Sequence, residues 1–292
     1  MVAAGQIRQE SQVENAYYFV VGHTLQLLNL KEMSAQIASS LKLESEPVGV
    51  KFFEKAEEGA TRGMLVKNGF ERPREPLNTC QLVGLARIQR KKVFAGSEDM
   101  ACVVGGVVLG LTQEPEIMKK GYLALASKKD LESAAEFIGT IPKVADRQIG
   151  LVAFGPLASM PLEPDVVVVY GNSLQVMELI GSYLWDKRGR VEVALGGEFS
   201  VCGDVVAKTY VTQRLQFSIP CKGERTSAGV SDSELSVGIP GRDLEGLCKA
   251  LRKPEFQVSS LTERYALDKT PTYFPDTYLT SGGRKFKKEA RK

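Results

Sequence analysis

The chain predicts an α/β or α+β fold of two similar halves, with mixed sheets covered by helices and an internal duplication as one reading of the order of its elements. Three observations point there. Short runs rich in β-branched residues follow prolines at two places, EPVGVKFF at 46–53 and EPDVVVVYG at 163–171. Each run is followed by a linker or helix, a pair of cysteines, glycines and a closing helix. The four consecutive valines of the second run suit a strand buried on both faces, as in a sheet sandwiched by helices. Strand–helix alternation makes any α/β protein look partly self-similar, so order alone also fits an unduplicated chain.

Residues 1–29 form a polar N-terminal extension, with His23 near its end. The first half spans 30–145. Met33, Ile37 and Leu41 recur every four residues and predict an amphipathic helix from Leu30 to Leu43. Pro47 stops it and biases Glu46 towards an extended conformation. Val48 to Phe53 reads as a strand, and the charged residues 56–78, with Pro73 and Pro76, as a loop. Asn78 and Thr79 then offer an N-cap for a helix beginning near Cys80. Further helices are predicted near 114–120 and over Asp130 to Ile138, with 121–127 a strand or the start of the second.

The second half spans 146–252. Ile149 to Leu157 and the valine run predict strands, and Asn172 or Ser173 caps a helix carrying Leu174, Met177, Ile180 and Leu184 on one side. Val191 to Leu195 reads as a further strand, and a helix is expected after the Pro240-Gly241 turn. Residues 253–292 are an irregular, basic tail.

With 43% hydrophobic and 25% charged residues, the composition is that of an ordinary globular protein. No apolar run reaches the roughly 18–20 residues needed to span a bilayer, and no basic segment leads into an apolar one at the N-terminus. A cytoplasmic protein that does not enter a membrane is the expectation. The formal charge of +3 is concentrated in RKFKKEARK at the C-terminus, which carries +5 and leaves −2 for the remainder. Such a tail reads as a solvated terminus. Without an aromatic-rich basic face, nucleic acid is not an expected partner. Homodimerisation is expected only as the commonest oligomeric state.

One histidine excludes a histidine-rich metal centre within one chain and, with no G-x-S-x-G elbow, argues against a Ser-His-Asp hydrolase. No phosphate-binding P-loop or dinucleotide fingerprint is present. Gly106 and Gly110, four apart, suit close helix packing.

The positive signal is sulfur. Cys80 and Cys102 bracket one stretch, and Cys202 and Cys221 another. The C-x21-C and C-x18-C spacings lack the close knuckle of zinc ribbons and ferredoxins. In a reducing compartment such cysteines serve as metal ligands, redox thiols or core fillers. Sulfur at the start of a helix meets unpaired N–H groups that favour the thiolate, and Cys80, with Cys202 a second case, suits that position. Thiolates would suit an iron–sulfur cluster or another soft metal. Cys248 in DLEGLCKAL reads as core. Arg87, Arg90, Lys91 and Lys92 accompany the first pair, and Lys208, Arg214, Lys222 and Arg225 the second. Lys222 and Arg225 are candidate holders of a carboxylate or phosphate on an unidentified small molecule, and Asp204 is an acid to watch beside Cys202.

The ordered series SEPVGVKFF, NTCQLVGLA, MACVVGGVVLGL, VAFGPLASMPLEPDVVVVYGN, FSVCGDVVA and SIPCKGER resembles the ArCR family, an uncharacterised domain of unknown function associated with archaea and anaerobes. The resemblance covers roughly residues 30–252. It implies that Cys80, Cys102, Cys202 and Cys221 are the family's matching cysteines, supplies no activity, and is compatible with an oxygen-sensitive sulfur site.

Overall fold

A computed structural model describes residues 30–144, 148–253 and 256. The histidine and the basic tail lie outside the described residues. Six strands form one sheet: β1 (Val48–Glu54), β2 (Val93–Ala95), β3 (Ile149–Pro156), β4 (Val166–Gly171), β5 (Gln216–Ser218) and β6 (Leu235–Pro240). Their order is β2-β3-β1-β4-β6-β5. Every pairing between these six strands is antiparallel, so the expected α/β class holds while the sheet is not mixed.

Alternation along the strands explains the two hydrophobic layers. Val48, Val50, Phe52, Val152, Phe154, Val166 and Val168 face one core. That core includes Leu82, Val83 and Ala86 of α3 (Thr79–Ile88) and Val104, Val107 and Val108 of α4 (Val103–Val108). Leu151, Ala153, Val167, Val169, Val237 and Ile239 face the other. There they meet Ile37 and Leu41 of α1 (30–41), and Val176 and Leu179 of α7 (Ser173–Leu184). Leu244, Leu247 and Cys248 of α10 (Leu244–Leu251) complete that layer. Because helices cover both faces, β4 can be apolar at successive positions, and all six of its residues are buried.

The two sides of the sheet pair in matching register. Val48 of β1 stands opposite Pro156 of β3, and Val166 of β4 opposite Pro240 of β6. Phe94 of β2 stands opposite Ala153, and Phe217 of β5 opposite Val237, three residues before those prolines in each case. β1 and β4 meet at the centre, with Gly49 opposite Val167. Cys80 and Cys202 precede the outer strands β2 and β5, and Cys102 and Cys221 follow them.

Three local expectations are corrected. The charged stretch expected as a loop contains α2 (Glu58–Lys67), where Leu65 is buried and supplies an apolar anchor. Residues 191–195 have no regular structure; Val191 and Val193 are only half-buried and find no strand to pair with. Residues 121–127 are turns and a 3-10 turn rather than strand or helix, because Gly121 turns the chain at φ +83. The segment 114–120 contains α5 (Glu116–Lys119), and Asp130 caps α6 (Leu131–Thr140) through the Ser133 N–H.

The second cysteine stretch departs from a regular helix. Ser200–Ala207 is a π-helix, with the Asp204 N–H reaching back five residues to the Phe199 carbonyl at 3.4 Å. It continues as α8 (Lys208–Thr212), and α9 (Lys222–Ser227) follows β5. Phe199 enters the π-helix at φ 53, a left-handed conformation costly for an aromatic residue.

Candidate functional site

Cys80, Cys102, Cys202 and Cys221 all line one cavity of about 210 Å³. Each arrives on a different element. Cys80 is the second residue of α3, Cys102 the N-cap of α4, Cys202 the third residue of the π-helix and Cys221 the N-cap of α9. The expected helix start at Cys80 is present, with the Asn78 N–H bonded to the Gln81 side chain at 2.9 Å. Cys202 occupies a π-helical first turn instead of an α-helical one. The fifth cysteine, Cys248, is buried in the opposite layer, as expected for core.

The sulfurs are free thiols and sense one another. Burial pushes the Cys80 thiol up to about 12, with Cys221 and Glu224 adding to the rise. Burial also raises Cys202 well above the ordinary thiol range, reinforced by Cys102, Cys221 and Cys80. The Gln81 N–H pulls Cys80 the other way but does not win. The expectation of a helix-start thiolate is therefore corrected: desolvation and crowded sulfur outweigh the first-turn N–H. Cys80 Sγ–H points to the Gly223 carbonyl at 3.9 Å, and Cys202 Sγ–H to that of Phe199 at 3.5 Å. Cys102 Sγ accepts from the Gly105 N–H at 3.4 Å.

A buried acid stands behind Cys221. Glu224, fully buried, accepts from Tyr170 Oη at 2.7 Å, from Ser200 Oγ and from the Val201 N–H at 3.2 Å. Ser200 Oγ accepts from the Cys221 N–H at 2.8 Å, joining the acid to the cysteine's backbone. Burial raises the Glu224 carboxyl, although all these donors act to lower it. Tyr170 lies under the Arg87 guanidinium, 4.2 Å from ring centroid to Cζ, and Arg87 is bound to Glu234 and to Ser45. Thr79 Oγ1 and Glu198 Oε2, on residues lining the cysteine cavity, are buried without a hydrogen-bond partner among the described residues.

The basic residues disperse. Lys222 lines the cysteine cavity. Arg225 does not: its guanidinium donates to the Pro220 and Ser231 carbonyls and pairs with Asp232 at 3.1 Å, tying a loop. Arg90 pairs with Glu46, and Lys92 donates to the Asn68 carbonyl. Asp204 accepts from Ser218 Oγ at 2.9 Å and lines a neighbouring cavity of about 310 Å³ with Lys208. Glu198 lines both cavities. The cysteines were legible from composition. Ser200, Tyr170 and Glu198 carried no motif, and Glu224 was legible only as the acid standing with Lys222 and Arg225 in CKGER.

Among the described residues, no three His, Cys, Asp or Glu side chains are grouped closely enough to hold one metal ion. The four cysteines share the wall of one cavity without forming such a group. None of the described helices is long and apolar enough to cross a membrane.

The model of the uncharacterised ArCR family matches residues 36–250, most of the chain and a span that includes these four cysteines. Uncharacterized protein MJ0308 of Methanocaldococcus jannaschii is 28% identical over 225 residues, covering 76% of this chain and 93% of that protein. No solved structure matches.

Proposed function

The chain belongs to the uncharacterised ArCR family, and from that premise we propose that Cys80, Cys102, Cys202 and Cys221 together hold an iron–sulfur cluster, or another thiolate-bound metal group, for redox or cofactor-related metabolism. The observation that carries the reading is that four cysteines from two distant stretches line one cavity of about 210 Å³. Sulfur is the donor such clusters use. Protons that burial and crowding hold on Cys80 and Cys202 are those that metal binding displaces, so binding releases protons and favours higher pH.

When bound, a cluster would supply one-electron transfer. The chain's own groups then have definite tasks. Leu123 and Phe199 on the cavity wall limit water. The Gly105 N–H stabilises negative charge on the Cys102 sulfur. Glu224, through Ser200, fixes the backbone carrying Cys221. Anaerobic purification followed by iron and acid-labile sulfide analysis tests the reading. The expected result is a coloured protein with iron and sulfide in equal amounts. Colourless protein that takes up neither iron nor zinc after anaerobic incubation with iron, sulfide or zinc overturns it.

The position of Lys222 on the same cavity supports a second reading, a non-redox pocket for an anionic small molecule. That reading expects a metal-free protein whose ligand affinity falls in Lys222→Ala.

A further inference from the structure

We infer that the chain carries a second ligand site, for a small organic polyanion, at the β5 edge of the sheet. A cavity of about 360 Å³ opens there between the C-terminal end of α7, the segment 187–192 and the entry to β5. Four cations line it, Lys187, Arg188, Arg190 and Arg214, against one acid, Glu192. Lys187 is already accounted for, because it follows the end of α7 and reaches Asp186 at 3.6 Å and Asp243 at 3.4 Å. None of Arg188, Arg190 and Arg214 has an ion pair or hydrogen bond to another described residue.

Two arguments separate this cluster from an ordinary solvated surface. First, the arginines come from two separate segments, the 187–192 stretch and the α8–β5 junction, and converge on one concave space. Like charges that outnumber the one acid on the cavity wall repel, and a bridging anion relieves that repulsion. Second, the floor is built. Tyr183 Oη donates to Asp243 at 3.0 Å and accepts from the Leu215 N–H at 3.3 Å. Asp243 is thereby committed to Tyr183 and Lys187 and does not neutralise the arginines.

The volume is that of a small-metabolite pocket, which spans roughly 300–1,000 Å³. Guanidinium groups present paired N–H donors that match carboxylate and phosphoryl oxygens. The ligand is therefore a small molecule carrying two or more such anionic groups. This site is independent of the cysteine cavity and stands whether or not a metal group is bound there.

Calorimetric titration of the full chain at low salt, with inorganic pyrophosphate and with citrate as probes, tests the inference. At least one probe is expected to bind with one-to-one stoichiometry. Pyrophosphate alone assigns phosphoryl recognition and citrate alone assigns carboxylate recognition. In Arg190→Ala/Arg214→Ala affinity falls by roughly tenfold or more. The control Lys67→Ala/Arg74→Ala, which removes two exposed cations elsewhere, binds as the wild type. Circular dichroism of both variants confirms that neither has unfolded. Failure of both probes to bind, an unchanged affinity in Arg190→Ala/Arg214→Ala, or equal losses in the two double variants would overturn the site.

Discussion

The two cysteine-bearing sides of this protein share a scaffold and differ in chemistry. In both, a cysteine-bearing helix leads into an outer strand, and a second cysteine after the strand caps a short helix. The registers match, with Val48 opposite Pro156 and Val166 opposite Pro240. The polar fittings do not match. Three residues after Cys102 stands Gly105; three residues after Cys221 stands Glu224, buried among Tyr170, Ser200 and the Val201 N–H. The first side enters through the regular, capped α3, the second through a π-helix preceded by the strained Phe199. Topology thus places sulfur on both sides, while a π-helix and a buried carboxylate three residues after the second cysteine occur on one. An asymmetric setting of this kind is expected where the site must distinguish one face of its contents from the other.

The largest expected effect is common to the two sides and is in thiol reactivity. With Cys80 raised from 9.0 to about 12, its thiolate population at pH 8 falls about a thousandfold in the metal-free protein. Alkylation by iodoacetamide, followed by peptide mass spectrometry, should label Cys80 and Cys202 far more slowly in native than in urea-unfolded protein. Rapid native labelling of either would remove the crowded, desolvated setting on its side of the site.

Next in size is the one-sided carboxylate. Glu224→Ala leaves Tyr170 Oη, Ser200 Oγ and the Val201 N–H without their acceptor and should cost about 3 kcal/mol or more in urea unfolding. At the corresponding place on the first side, Gly105→Ala puts a methyl 2.7 Å from Thr79 Oγ1, and repacking should cost only about 1–2 kcal/mol. Equal costs would contradict the asymmetry.

The smallest effect is in pH dependence. Because the folded state raises the Glu224 carboxyl above 4.5, that state binds the proton more tightly than the unfolded chain. Its contribution is full below about 4.5 and is lost as pH rises through the raised value. Relative to Glu224→Gln, the wild type should lose urea stability between acid and neutral pH. Parallel curves for the two proteins would show that Glu224 does not titrate differently on folding.

Much of this architecture was legible in residues. The four-valine run required a strand covered on both faces, and β4 lies at the centre of the sheet between β1 and β6. Asn78 marked the start of α3, and Ile37 and Leu41 the buried side of α1. The cysteines were found because their type is rare and chemically soft. What escaped was set by long-range contacts. β2 and β5 have only three residues each, too few to show an alternation, and exist because β3 and β6 offer them edges. The antiparallel order comes from β1 pairing with both β3 and β4, which are distant in sequence (Glu54 with Ile149, Val48 with Val168), and no local pattern encodes that. The π-helix and the Glu224 network depend on tertiary partners, Tyr170 and Ser200 being far from Glu224 in sequence.

The account rests on four sulfurs from the two sides serving one bound group, and cysteine-by-cysteine loading tests that most directly. Wild type, Cys80→Ser, Cys102→Ser, Cys202→Ser, Cys221→Ser and Cys248→Ser are incubated anaerobically with iron and sulfide, desalted, and assayed for both. The account predicts a loaded wild type, an equally loaded Cys248→Ser, and loss of most iron and sulfide in each of the other four. Loss confined to the two cysteines of one side, or a wild type that loads no more than the variants, would contradict it.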